Sequence, residues 1–549
     1  VRSPNNNALL FQGEQSDSTV VFSVDYDGNV ATSGTVDGVD IAARDAVLTS
    51  TTTTANDALP KTGGTITGDV TATTVNATTV DLGDWTITEA SGSLLFATQG
   101  VTKMKLDSSG NLDVVGNINS SAYIYSAAAL IVSGKTPPLA FDFVNRYYRN
   151  NGNDSTFANS INHSRASSAT MTNSSGNIVS VGIGVPRLGH HVYNGSAWVN
   201  EGILHESEAR TNLMTNSGDL ANSDWTSPRL TVGAVTAGSP FGAYRSITPV
   251  AHGTVKANAY QVGKSITSGA TYVGWALVKY SAGSGWFALN LYDTSKSDER
   301  AWFDLQNGVV GAKDALIIDH GIVDYGDGWW LCWASANAAS GSGGLVVTVT
   351  NGNSVVTSST SDTILIAGSQ FEQGATPSSY IPTSGSAVTR AAETLTVPAA
   401  NLPYSSTNVS IQMDGRMTYA DDGASAFFYR WLLNSTNYAQ AVLQTMGNYE
   451  GRIRYSQRET TSGYDELGTI GSYFTPDINV PFNISSRHGS TFINGAEGGT
   501  ALTANTFVTA LPDLSSNDLL LANTFMGTIG KFRMWDEDIG DTGIASASL

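Results

Sequence analysis

Along most of this chain apolar and polar positions alternate with a period of two, in short runs that Gly, Asn, Asp and Ser interrupt. Such runs predict β-strands joined by tight turns. The pattern is plainest in TYVGWALVKY (271–280), GWFALNLYD (285–293), DGWWLCWASA (327–336) and GGLVVTVTN (343–351). It returns in VSIQMDGRMTY (409–419), AFFYRWLLN (426–434) and TIGKFRMWDEDI (528–539). A helical period shows in IAARDAVLTSTTTTANDAL (41–59), where Ile41, Leu48 and Ala55 are spaced as a heptad and Ala58 and Leu59 extend the stripe to Pro60. That segment reads as a short coiled coil that needs partner helices, or as a Thr-rich linker.

Near the start, VDYDGNVATSGTV (24–36) returns as LDSSGNLDVVGNI (106–118), aligning Asp25 with Asp107, Gly28 with Gly110 and Asn29 with Asn111. Gly and Asn reach positive φ cheaply, so both runs predict the same β-hairpin. Asp25, Asp27 and Asn29 also have the spacing of a calcium loop, but its glycine and bidentate-acid positions are Val30 and Val36. A turn is expected there and no metal. Further turns are predicted at Gly63-Gly64, Ser91-Gly92 and Gln99-Gly100. Strands this short bury too little apolar area to offset chain entropy alone. Residues 1–126 are therefore expected to be completed by identical chains that pair open edges and bury one stripe each.

Composition narrows the class. With 57 glycines and only 14% charged residues, the chain favours strands and turns, and an all-β fold is expected. A net charge of −19 argues against nucleic acid or an anionic membrane as partner. The single cysteine, Cys332, excludes intramolecular disulfides and reads as a buried small hydrophobe. The sequence has no apolar run near 18 residues, so no membrane insertion by helix is expected.

The runs GNVATSGTVDGVDIAARDAVL (28–48), DALPKTGGTITGDV (57–70) and KMKLDSSGNLDVVGNI (103–118) resemble shaft segments of tailed-bacteriophage tail fibres, a family that is characteristically homotrimeric. SRASSATMTNSSGN (164–177), GVPRLGHHVYNGSAW (184–198) and GILHESEARTNL (202–213) are similar to a connector of phage fibre proteins. NLMTNSGDLANSDW (212–225), FDLQNG (303–308) and FEQGATPSSYIPTSGSAVTRAAE (371–393) resemble a carbohydrate-binding-module-like sandwich. The chain departs from that pattern at Trp330, Leu331 and Cys332, where Tyr, Arg and Cys are frequent. FINGAEGG (492–499) and LLLANTFMGTIGKFRMWDEDI (519–539) are similar to a laminin-G/concanavalin-A-like jelly roll. The resemblance implies an elongated trimeric fibre. Its parts would be a β shaft module (1–40), the coiled coil or linker (41–75), a second shaft module (76–126), a connector (127–207), a carbohydrate-binding-module-like sandwich (208–395) and a laminin-G-like sandwich (396–549).

It also implies a virion tail protein that adheres to a bacterial surface glycan, with other phage tail proteins as partners. Rival readings are a polysaccharide depolymerase and a purely structural fibre or head decoration. No G-x-S-x-G, HExxH or phosphate loop is present, and GIGVPRLG (182–189) has the wrong spacing for a dinucleotide and a helix-breaking Pro186. The adjacent acids Asp298-Glu299, Asp421-Asp422 and Asp465-Glu466 are expected to be solvated loop pairs. No catalytic residue and no cofactor is therefore expected. Flat aromatics beside Asn, Asp or Gln suit sugar rings. Period-two counting puts Phe287, Leu289 and Leu291 on a core face and Trp286, Asn290 and Tyr292 on the other. Those last three are the candidate sugar platform, unless both faces are buried. Tyr449 and Tyr455 are candidates by composition. His190 and His191 are expected to be surface turn residues that point to opposite faces and share no ion. Trp329, Leu331 and Trp333 read as sandwich core.

Overall fold

The computed structural model describes residues 9–25, 27, 29–32, 35–36, 39–40, 43–44, 46–51, 79–81, 83–106, 108, 112–114 and 132–549, except 254–255, 297–298, 461–462, 470–473 and 509. The chain divides into two compact units, Val1–Asn119 and Ser120–Leu549.

In the first unit Leu9–Glu14, Val20–Asp25 and Val30–Thr32 form a three-stranded antiparallel sheet. The Asp25 carboxylate accepts the backbone N–H groups of Asp27 and Asn29 at 3.0 and 2.8 Å, so DYDGN closes a hairpin. Thr79–Asp81, Trp85–Ala90, Ser93–Thr98, Val101–Leu106 and Leu112–Val114 form a five-stranded meander. Its turns at Ser91-Gly92 and Gln99-Gly100 have positive φ at both residues, as the sequence predicts. The repeated motif has one register: Val24 pairs with Val30 in the first copy, and Leu106 with Leu112 in the second. Both sheets leave large apolar side chains in solvent. Phe11 is 63% exposed, Trp85 45% and Val101 53%. Residues 43, 44 and 46–51 are helical, with Val47 and Leu48 exposed. Ile41, Ala55, Ala58, Leu59 and the Gly63-Gly64 turn lie outside the described residues.

The second unit holds two β-sandwiches, one inserted in the other. The outer one faces a ten-stranded sheet, centred on Met526–Trp535 and Asn408–Tyr419, with a seven-stranded sheet that runs from Asn162–Arg165 through Glu393–Val397 to Gly463–Gly468. Residues read as a connector supply strands to it: Leu139–Asp142 and Ile203–Glu206 both pair with Met526–Trp535, and Asn162–Arg165 pairs with Glu393–Val397. Phe141, Phe143 and Ile203 share its core with Ile411, Trp431 and Phe532. The inserted sandwich packs a seven-stranded sheet, with Thr271–Ala282 and Trp329–Asn337 at its centre, on a five-stranded sheet containing Trp286–Asp293. The expected face of Phe287, Leu289 and Leu291 fills its core, with Cys332 buried among them. Chain entry and exit are zipped together where Arg210–Asn212 pairs with Val388–Arg390.

One expectation about this core changes. Trp329, Leu331 and Trp333 are on the opposite face from Cys332 and Ala334, and they do not fill the sandwich interior. Trp329 and Trp333 are still buried because this outer face is covered too: Trp333 clusters with Val273, Trp275 and Tyr380, and Ile478 of the outer sandwich and Ile178 of the separate Ala169–Thr172/Ile178–Val181 hairpin pack on that cluster.

Candidate binding cleft

The neck between the sandwiches concentrates buried ion pairs. Arg187 grips Glu393 with Nε and Nη2 at 3.0 and 2.6 Å, and Arg165 Nη1 reaches the same carboxylate at 2.6 Å. Glu206 meets Arg187 at 2.8 Å and Arg390 at 3.1 Å, and it also accepts the N–H and hydroxyl of Ser379. Burial by itself would raise the Glu206 pKa, but the Arg390 and Arg187 charges and the Ser379 bonds reverse this and hold it near 2. These bonds fix the strands on which the next feature is built.

Beside the neck lies a cleft of about 130 Å³, lined by both sandwiches. That is below the roughly 300–1,000 Å³ of drug-sized sites, so the cleft suits one ring at a chain end better than a long polymer. Its wall is a hairpin, His191–Tyr193 paired with Trp198–Asn200, whose turn is closed by Asn194 Oδ1 accepting the N–H groups of Ser196 and Ala197. Tyr193 lies directly across from Trp198, with ring centroids 5.4 Å apart, and Trp198 meets Tyr325 edge-on at 5.2 Å. Trp198 fits because Gly176 has no side chain: a Cβ there would lie 2.4 Å from the indole. Behind them Phe241 stacks on Tyr380 at 4.2 Å. Tyr193, Trp198 and Tyr325 remain half-buried, and Trp198 and Tyr325 also border a second crevice with Asn177, Ser239 and Asp327.

His190 and His191 both line the cleft, which corrects their reading as surface turn residues on opposite faces. The N–H groups of Gly189 and His190 both donate to Gly202 O, at 2.8 and 3.1 Å, and this bulge breaks the alternation. His190 Nδ1 accepts the Thr172 N–H at 3.2 Å. Desolvation, aided by the Arg187 charge, lowers the His190 pKa to about 3 and keeps the ring neutral. His191 Nδ1 donates to Gly189 O at 2.8 Å. Tyr325 gives or takes a hydrogen bond with Thr172 at 2.8 Å, and Asp324 Oδ1 accepts the Gly326 N–H at 2.9 Å.

The candidates read from the sequence are scattered. Trp286 and Tyr292 are half-buried on the outward face of the inserted sandwich, and Trp286 packs over Gly311. Asn290, between them, is 6% exposed and its Oδ1 accepts the Glu299 N–H, so it is withdrawn from any ligand. Tyr449 is 51% exposed with the Arg452 guanidinium over its ring at 4.9 Å. Tyr455 is corrected: it is fully buried in the outer core, its hydroxyl donating to Ala496 O at 2.9 Å, and it cannot reach a sugar. Sequence reading passed over the Tyr193/Trp198 pair, although two aromatics flanking an Asn-Gly-Ser turn are the mark of a hairpin presenting paired rings. Among the described residues no group of His, Cys, Asp and Glu could hold a metal ion.

The class these features define is an all-β protein with two nested sandwiches. The sequence matches no protein-family model and no curated protein. Among solved structures, the chain is similar to the Ruminococcus gnavus IT-sialidase CBM40 bound to α2,6 sialyllactose, at 9% identity and a TM-score of 0.22, covering 26% of this chain and 85% of that one. It is also similar to the mouse laminin α1 chain, domains LG4-5, at 10% identity and a TM-score of 0.19, covering 56% and 90%. A fructosyltransferase from A. japonicus follows at 10% identity and a TM-score of 0.17, with 66% of each chain covered. Likenesses this slight carry no functional argument.

Proposed function

We propose that this chain is a non-catalytic adhesin of the tail-fibre type: a homotrimer through its N-terminal β modules that holds a bacterial surface glycan with its sandwiches, as part of a phage virion tail. The cleft carries the reading. Three half-buried rings stand beside imidazole and carboxylate groups, the mixture of apolar face and hydrogen-bonding edge that a sugar ring requires. The bare Phe11, Trp85 and Val101 and the exposed Val47 and Leu48 favour association of identical chains. Three weak sites on one trimer would then hold a surface by avidity.

Hydrolysis is the rival. It needs two carboxylates about 5–9.5 Å apart across the scissile bond, one of them free to carry a proton. Glu206 and Asp324 are the acids of the cleft, and both oxygens of Glu206 are taken by Arg187, Arg390 and Ser379, so it is free neither to carry a proton nor to attack. Binding without turnover is therefore favoured there. Sedimentation and cell adsorption test the proposal together: a trimer that competes with phage adsorption and releases no reducing sugar is expected. A folded monomer, or a trimer that does not compete, contradicts it. In the same assay Trp198→Ala should weaken adsorption more than Trp286→Ala if the cleft, and not the outward platform, is the glycan site.

A further inference from the structure

The two cleft histidines are fixed in opposite hydrogen-bonding senses. A backbone N–H can only donate, so Thr172 N–H at 3.2 Å makes His190 Nδ1 an acceptor and places that ring's proton on Nε2. A carbonyl can only accept, so Gly189 O at 2.8 Å places a proton on His191 Nδ1 and leaves Nε2 of the neutral ring as an acceptor. Neighbouring residues therefore offer one donor and one acceptor to the same cleft. A vicinal diol matches this, since each hydroxyl both donates and accepts. The buried indole N–H of Trp275, which also lines the cleft, has no hydrogen-bond partner either.

Charge narrows the ligand further. Among the described residues no Lys or Arg lines the cleft, while Glu206 and Asp324 do. Arg187 lies behind it, but its side chain is fully buried and its nitrogens are engaged by Glu393, Glu206, Thr170 O and Ser379 Oγ. A sugar carboxylate entering here would meet the Asp324 carboxylate and find no unpaired cation, so nothing offsets the loss of its hydration.

We propose that the cleft selects a neutral terminal hexose, taking a vicinal diol between His190 Nε2–H and His191 Nε2 with the ring against Trp198, and rejects uronate and sialate residues. This rests on the glycan-binding reading above and specifies its ligand. The test is binding of the full chain to an array of neutral hexose oligosaccharides and their uronate- and sialate-terminated counterparts, repeated with variants of matched melting temperature. Neutral glycans should bind and acidic ones should not. His191→Leu, which removes the acceptor, should weaken binding about three- to tenfold, the effect of one neutral hydrogen bond. His191→Gln, which restores an acceptor, should recover most of it. Equal or tighter binding of acidic glycans overturns the proposal, and so does His191→Leu binding as the parent does. If adsorption to cells persists while every cleft variant binds normally, the adhesin reading stands and this one falls. If the chain binds no glycan and no cell, both fall.

Discussion

Removing the Glu393 carboxylate tests whether the neck holds the two sandwiches as one body. In the native chain it accepts Arg165 Nη1 and both Nε and Nη2 of Arg187, plus the Glu206 N–H at 2.8 Å, with no exposed side-chain surface. Glu393→Ala leaves two buried guanidiniums short of a counter-charge, and breaking a buried pair from one side costs about 3–5 kcal/mol. Glu208→Gln is the control: its carboxylate is 40% exposed beside Arg210, so the loss should stay below about 1 kcal/mol. Urea denaturation followed by tryptophan fluorescence reads both. The pH dependence has a definite sign. Glu206 has a folded pKa of about 2, below its unfolded value near 4.3, so its contribution is complete above the unfolded value and is lost as pH falls through about 2. His205, fully buried and held near 4 mainly by desolvation, adds destabilisation from pH 6.5 downward, because the unfolded chain takes up a proton that the fold refuses. A Glu393→Ala midpoint within error of the parent, or stability that rises between pH 6 and 3, would refute the reasoning.

Three further outcomes follow from the same structure. Gly374→Ala should destabilise the neck by more than about 2 kcal/mol, since φ is +146° there and a Cβ would overlap the Arg210 guanidinium; a midpoint unchanged in urea contradicts this. Cys332, fully buried with its thiol pKa pushed well up by desolvation, should ignore Ellman's reagent until the inserted sandwich unfolds, so prompt labelling of native protein would place it wrongly. The fragment 396–549 should fail to unfold cooperatively while 132–549 succeeds, because Phe141, Phe143 and Ile203 of the outer core precede residue 396; a sharp thermal transition of the shorter fragment would count against the insertion.

The strands were legible because alternation is local. Phe287, Leu289 and Leu291 fell on the core face, and the repeated hairpin kept its register from Val24/Val30 to Leu106/Leu112. The nesting was not, since nothing near Leu139 signals that its strand partner is Met534. Periodicity carried further than composition at the site. Tyr455 shares a face with the buried Ile453 and Gln457, while Arg452 and Arg454 take the other, so alternation assigns it to the core where composition did not. The cleft itself draws the Tyr193/Trp198 hairpin, Phe241 and Tyr325 from three separate segments, which only the completed fold brings together. The neck's ions stand in RASSAT, PRLG, HESEAR and TRAAE, motifs that read as family signatures and act in the fold as a clamp.

The proposed function is glycan binding without cleavage. Its most direct test is binding of labelled full-length protein to a panel of bacterial cells before and after periodate oxidation, which cleaves vicinal diols of surface sugars. Binding that periodate abolishes, with no sugar released during incubation, is the expected result. Binding that survives periodate, or soluble saccharide appearing in the supernatant, would contradict it.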